Sequence, residues 1–297
     1  MTTYAATILD VAERQIANEL RLTHKQTVLA IVLTGIVVFA IVSYFGWTKV
    51  YENPARVFWD GIANDLATSQ VIRQINEQST GTTLSETIRL NLSGGDLAQA
   101  NTTLTNLGSS ISTETIGTPY ADYVKYTDII DKAHNQKVIP LSLRSLIGVW
   151  VKHSPGTLKS PLTHLLGQSI LGVVPTAYIP EPQRQALMVL AHKAFKPDLS
   201  TVSTRTINGK RAYVYRVKIS AVNYAEFVST FCSDEGFGRP AFLRPGNFSA
   251  GSTYDLQFSI NPQSHEILQI NYGHGHVENY SGYGVPTSIT IPTHTSK

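Results

Sequence analysis

TVSTRTINGKRAYVYRVKI, residues 201–219, decides the fold. Two runs rich in β-branched and aromatic residues flank Asn208-Gly209, the dipeptide that supplies the two positive φ angles of a type I′ turn. On the second arm Tyr213, Tyr215, Val217 and Ile219 share one face, and Ala212, Val214, Arg216 and Lys218 share the other. The stretch is an antiparallel hairpin with one strongly apolar side. Beyond it the chain continues in the same style. A short helix is expected around Val222 to Phe231, followed by a Gly/Pro-rich loop, residues 232–252, that carries Phe237, Phe242 and Phe248. Tyr254, Leu256, Phe258 and Ile260 then alternate, NPQSH (261–265) makes a turn, and Leu268, Ile270 and Tyr272 alternate again. TSITIPT, residues 287–293, is expected as the last strand.

Upstream of the hairpin the period changes. Leu158, Leu162, Leu165, Leu166 and Ile170 form one helical stripe, and after Pro180 and Pro182 the series Ala186, Leu187, Leu190, Ala191 and Phe195 forms another. Earlier still, Ile88, Leu90 and Leu92 alternate with polar residues, and Tyr120, Val124 and Tyr126 belong to a further extended stretch. Pro54 opens a helix that puts Val57, Phe58, Ile62 and Leu66 on one face. Helix, strands, two helices and a closing meander make one α+β domain, with helices gathered against one face of a curved antiparallel sheet.

In front of this domain lies TVLAIVLTGIVVFAIVSYFGW, residues 27–47, without a charge. At about 1.5 Å per helical residue it matches the hydrocarbon thickness of a bilayer. A cleaved leader would show a shorter apolar core followed by small residues, where this chain has Val42, Tyr44 and Phe45. Cys232 is the only cysteine, so no lipid-acceptor thiol follows the span and no intramolecular disulfide braces the domain. Arg14, Arg21 and Lys25 precede the span while Lys49 and Arg56 follow it, a slight basic excess that places the N-terminus inside. The expected organisation is a cytoplasmic amphipathic segment (1–26), a transmembrane helix (27–47) and an extracytoplasmic domain (48–297). With a net charge of +3 and no basic stretch, nucleic acid is not an expected partner.

NGKRAYVYRVKI, YDLQFSINPQSHEILQINY and ENYSGYGVPTSITIPT resemble the closing strands of the LolA/LppX-type superfamily of envelope lipoprotein carriers. The positions that carry the resemblance are Gly209 with Tyr213 and Tyr215, Ile260 to Ile270, and Tyr280, Tyr283, Gly284, Pro286 and Pro292. The resemblance covers about 85 residues of the chain. It implies an open half-barrel whose concave face is closed by helices around an apolar cavity for acyl chains. Members of that family are soluble or lipid-anchored, so an apolar span without an acylated cysteine is a departure.

The ligand-binding candidates are Leu162, Leu165, Leu166 and Ile170 on a helix above Tyr213, Tyr215, Val217, Ile219, Leu256, Phe258, Leu268 and Ile270 on the sheet. Their expected partner is a lipid or other apolar ligand. The alternative is an interaction module with a filled core, facing an envelope or cell-surface protein. No cofactor is expected, and no enzyme motif such as G-x-S-x-G, H-E-x-x-H or a P-loop occurs. His274 and His276, with His265 nearby, have spacing that lets two imidazoles share a strand face. A structural metal site needs four ligands, and the spacing supplies no Cys or acidic partner, so an exposed glycine-flanked turn is the reading preferred here. Cys232 ends an amphipathic helix, where a small buried side chain is its expected role.

Overall fold

The computed structural model describes residues 32–93, 95–130, 145–153, 164–249 and 251–296. The amphipathic segment before the span, and Leu158 and Leu162 of the first helical stripe, lie outside these. Two compact units emerge, Met1–Asn53 and Pro54–Lys297.

In the first unit α1 (Val32–Tyr51) is long and apolar enough to cross a membrane, and none of its apolar window is buried. It continues four residues past Trp47, where the apolar run was expected to end. Its last turn, Trp47–Tyr51, widens to π geometry. There the Trp47 and Tyr51 rings stack with centroids 4.4 Å apart, and Trp47 Nε1 donates to Glu52 Oε1 at 3.1 Å.

The second unit opens with α2 (Pro54–Leu66), and then five strands follow: β1 (Gln70–Ser79), β2 (Thr82–Asn91), β3 (Leu97–Asn106), β4 (Ser109–Gly117) and β5 (Asp122–Ile130). After the short β6 (Val151–His153) come α3 (Leu165–Ile170) and α4 (Glu181–Ala194). The hairpin β7 (Phe195–Ile207) and β8 (Lys210–Ser220) precedes α5 (Ala221–Asp234), and β9 (Thr253–Ile260), β10 (Ile267–Gly273) and β11 (His276–Ser281) close the order. Asn208 and Gly209 make the tight turn with φ of 49° and 77°, as their dipeptide requires.

All strands belong to one open antiparallel sheet in the order β6-β5-β4-β3-β2-β1-β11-β10-β9-β8-β7. The first and last strands pair at its centre, from Ile72 opposite Ser281 to Glu77 opposite His276. That pairing leaves β6 and β7 as the edges and joins an N-terminal half-sheet to a C-terminal one. Helices and strands share one hydrophobic core. α2 lies against β7, β9 and β10, α4 against α5, β7 and β8, and α5 against β8. α3 packs on β2, β3 and β4 instead.

Three expectations are corrected. Residues 287–293 form no strand. β11 already has β10 on one side and β1 on the other, and Gly282 and Gly284, at φ of 66° and 65°, turn the chain out of the sheet. The tail is held elsewhere: Asn91 Nδ2 donates to the Thr287 carbonyl at 2.7 Å and Ser296 N to the Trp150 carbonyl at 2.8 Å. Tyr120 is not in a strand but exposed on the turn that Thr118 ties to Ala121. Finally, Leu268 and Ile270 do not work as an alternating pair. The register slips between Ile267 and Gln269, so Ile267 and Ile270 both enter the core, while Leu268 is buried outside it.

Candidate ligand cleft

The sheet residues expected to line a cavity lie mostly in a closely packed core. Tyr215, Val217, Ile219, Phe258 and Ile270 are buried, and Tyr213 and Leu256 pack at its margin. The Phe58 ring of α2 stands 5.3 Å from that of Tyr215 and 5.8 Å from that of Phe258, both edge-on, while Phe195 meets Phe227 and Phe258 in the same manner. The Tyr215 hydroxyl donates to the Pro54 carbonyl at 2.9 Å, so the one polar atom of that ring is satisfied. This end of the layer is filled by side chains from α2, α4 and α5.

Leu165, Leu166 and Ile170 are also buried, but over β2–β4 rather than over β8–β10. The two halves of the expected site are therefore not brought together. The reason is topological. The paired strands β1 and β11 lie between the two sets, and α2 and α4 have already covered the C-terminal half.

Between the two halves runs a buried polar seam. Asp65 of α2 is fully buried. Its Oδ1 lies 2.8 Å from the Tyr283 hydroxyl, which also reaches the Ile267 carbonyl at 3.0 Å. Its Oδ2 has no hydrogen-bond partner. Burial drives its pKa up to about 7, against the opposing pull of the Tyr283 hydrogen bond and of Arg73. Arg73 on β1 donates from Nη2 to the Gln168 carbonyl at 3.3 Å, and the Tyr280 hydroxyl donates to Glu278 Oε2 at 2.5 Å on the neighbouring strand. Gly172 lets the segment after α3 lie on this seam, since a Cβ there would stand 3.0 Å from Arg73 Nη1.

An open cleft appears where the described helical layer is thinnest. It holds about 390 Å³, within the usual range of small-molecule sites. Leu92, Leu166, Ile170 and Phe237 give it apolar walls, and Asp96, His164, Tyr178 and Glu235 line it as polar groups. α3 forms one wall and its seat is tight. The Leu165 amide lies within 3.3 Å of both Asp122 carboxylate oxygens, and a Cβ on Gly117 would stand 2.7 Å from the Leu166 amide. His164 precedes α3 and is 5% exposed, with Nδ1 at 3.3 Å from Asp122 Oδ2. Across the cleft, burial raises the pKa of Glu235 and the nearby carboxylates Asp234 and Asp96 add to the effect.

No protein-family model matches this chain, and no curated protein matches it. Among solved structures it is similar to LprF from Mycobacterium bovis. Identity is 14%, coverage is 80% of this chain and 95% of that one, and the TM-score is 0.41.

Sequence reasoning found Leu166 and Ile170 through the helical stripe and missed Leu92, Asp96, His164, Tyr178 and Glu235. Phe237 was visible as one of the aromatic residues of the loop, without its neighbours. Asp96 carried one signal, its place in a Ser-Gly-Gly-Asp turn where φ reaches 53°. The histidine pair is separated by geometry: His274 occupies the turn with φ of 51°, and His276 opens β11 with Glu77 and Glu278 each at 3.5 Å. His265 is buried against Asp60 Oδ2 at 2.9 Å. Among the described residues no three His, Cys, Asp or Glu converge on a metal position. Cys232 is fully buried and its thiol is pushed up to about 11 by burial, the setting of a core residue rather than a nucleophile.

Proposed function

We propose that this chain is a membrane-anchored extracytoplasmic protein whose α+β domain, curved as a half-barrel, holds a lipid acyl chain or another apolar ligand. The observation that carries this reading is the cleft beside α3, open among Leu92, Leu166, Ile170 and Phe237 and continuous with the hydrophobic core. The exposed apolar helix α1 and the LolA/LppX-like closing strands support the cellular setting. Binding rather than catalysis is favoured because the described polar groups of the cleft, Asp96, His164, Tyr178 and Glu235, include no nucleophile–base pair.

The test is lipid extraction and native mass spectrometry of the unit from residue 54 onward, released from the anchor. Co-purifying acyl species that leave in a Leu92→Trp variant support the reading. A clean apo mass, together with no uptake of a fluorescent fatty acyl probe, would overturn it. Protease shaving of intact cells checks the topology, and protection of the C-terminal unit with accessible N-terminal residues would reverse it.

One observation favours a second reading, an interaction module without a cargo. Tyr215, Val217, Phe258 and Ile270 are packed as a filled core, so the sheet face under α2, α4 and α5 leaves no room for a cargo.

A further inference from the structure

The cleft beside α3 also has a chemical polarity, and its sources are spread over three elements. Asp96 comes from the β2–β3 turn, His164 from the approach to α3, and Glu235 from the end of α5. Among the described residues lining it there is neither Lys nor Arg. Arg239, two residues beyond Phe237 in the loop, is exposed and outside the lining.

The neutral groups of the lining follow the same bias. The Thr118 hydroxyl donates to the Ala121 carbonyl at 2.9 Å, which uses its only hydrogen. With the His164 ring neutral, Nδ1 beside the Asp122 carboxylate is the nitrogen that carries the proton. That leaves Nε2 as a lone pair on a ring that is 5% exposed and lines the cleft, with no hydrogen-bond partner for this atom among the described residues. Two carboxylates, an imidazole lone pair and a hydroxyl already donating offer acceptors to whatever enters. Among the described lining side chains, only Tyr178, which is exposed, brings a free donor.

We infer that the cleft selects an amphiphile with a cationic, hydrogen-bond-donating headgroup, such as a primary amine, and disfavours anionic lipids. The apolar chain lies along Leu92, Leu166, Ile170 and Phe237, and the head sits between Asp96 and Glu235 with His164 Nε2 as a further acceptor. A carboxylate or phosphate head at the same place would meet two like charges and no cation among the described lining residues, an arrangement that costs binding. This inference rests on the cleft being a ligand site, as proposed above.

The full chain in nanodiscs tests it with three diazirine-bearing amphiphiles of one chain length, headed by an ammonium, a carboxylate and an alcohol. After photolysis, mass spectrometry counts adducts on the peptides carrying Leu166 to Ile170 and Phe237, which separates the cleft from lipid around α1. The ammonium probe should label those peptides about fivefold more than the carboxylate probe, the scale of one partly exposed ion pair. That ratio should fall towards one in an Asp96→Asn/Glu235→Gln variant that melts like the parent. Equal or greater labelling by the carboxylate probe overturns the headgroup inference while leaving the cleft as a ligand site. So does an ammonium preference that survives in the double variant. Failure of all three probes to label these peptides overturns the ligand site and this inference with it.

Discussion

Over β7–β10 the helical layer is thick: α2, α4 and α5 bring Phe58, Leu187, Phe227 and Phe231 into one core with Tyr215 and Phe258, and every one of these side chains is fully buried. Over β2–β4 the described layer is the six-residue α3, which supplies Leu165, Leu166 and Ile170 and leaves a cleft at its end. Both regions cover the same face of one sheet with apolar side chains. They differ in how many aromatic rings are available to fill the space. Stability is concentrated in the first region and room for a ligand in the second, so substitutions in the two regions are expected to diverge.

The largest effect is expected in the thick region. Phe258→Ala removes a ring that touches those of Phe58 and Phe195 at 5.8 and 6.1 Å, and truncations of this kind cost about 3–5 kcal/mol because neighbours refill the space only in part. Chemical denaturation should show that loss, whereas Phe237→Ala in the cleft wall should cost under about 1 kcal/mol. Equal losses at the two positions would erase the contrast.

Next comes the seam between the regions. Asp65 has a folded-state pKa of about 7, above the ordinary 3.8. The folded chain therefore binds this proton more tightly than the unfolded chain does. The associated stability is complete below about pH 3.8 and is lost as pH rises through about 7, amounting to roughly 4 kcal/mol at 1.36 kcal/mol per pH unit. Asp65→Asn carries no such titration. Across that window the variant should gain stability relative to the parent as pH rises, whatever its constant offset from the amide. Parallel pH–stability curves for the two proteins would show that the carboxyl is not buried as described.

A smaller effect is expected where α3 is seated. Gly117→Ala places a Cβ 2.7 Å from the backbone nitrogen of Leu166 and 2.9 Å from Leu165 Cβ, so α3 must shift. Overpacking of this kind costs about 1–3 kcal/mol, and because α3 forms a wall of the cleft, ligand affinity should change as well. A thermal melt and a binding titration on the same variant check both. An unchanged melt would mean that the contact relaxes freely.

The contrast between the regions was only half legible in the sequence. Period-two alternation in Tyr213 to Ile219 and Tyr254 to Ile260 identified the strands under the thick layer, because alternation is a local consequence of the pleat. The same reasoning failed at Leu268, where a register slip puts Ile267 and Ile270 in the core and breaks the period without a Gly or Pro to announce it. The stripe Leu165, Leu166 and Ile170 was read as apolar but assigned to the wrong strands. Which strands a helix covers depends on the β1–β11 pairing, a contact between the two ends of the domain. The polar groups of the cleft were invisible for the same reason. Asp96, His164 and Glu235 meet only because three loops converge at one end of the sheet, and no local spacing encodes that.

The smallest expected change in stability is also the sharpest test of the contrast, because it depends on opposite behaviour from one kind of substitution. Val217 is 1% exposed and belongs to the core beneath the thick layer. Val217→Trp inserts a larger ring where neighbouring side chains already fill the space, and should cost about 1–3 kcal/mol through displaced rotamers. Leu92 has left β2, is half-buried and lines the cleft. Leu92→Trp can direct its added rings into about 390 Å³ of open volume, so its melting temperature should stay near that of the parent while ligand uptake falls. The pair removes the ambiguity that either variant carries alone. Loss of stability at Leu92 equal to that at Val217 would mean that the cleft closes in solution and that the domain has one filled core throughout. Retained stability at Leu92 with undiminished uptake would place the ligand elsewhere on the sheet. Only a stable Leu92→Trp that no longer binds, beside a destabilised Val217→Trp, fits a domain that divides its sheet face between a structural half and a binding half.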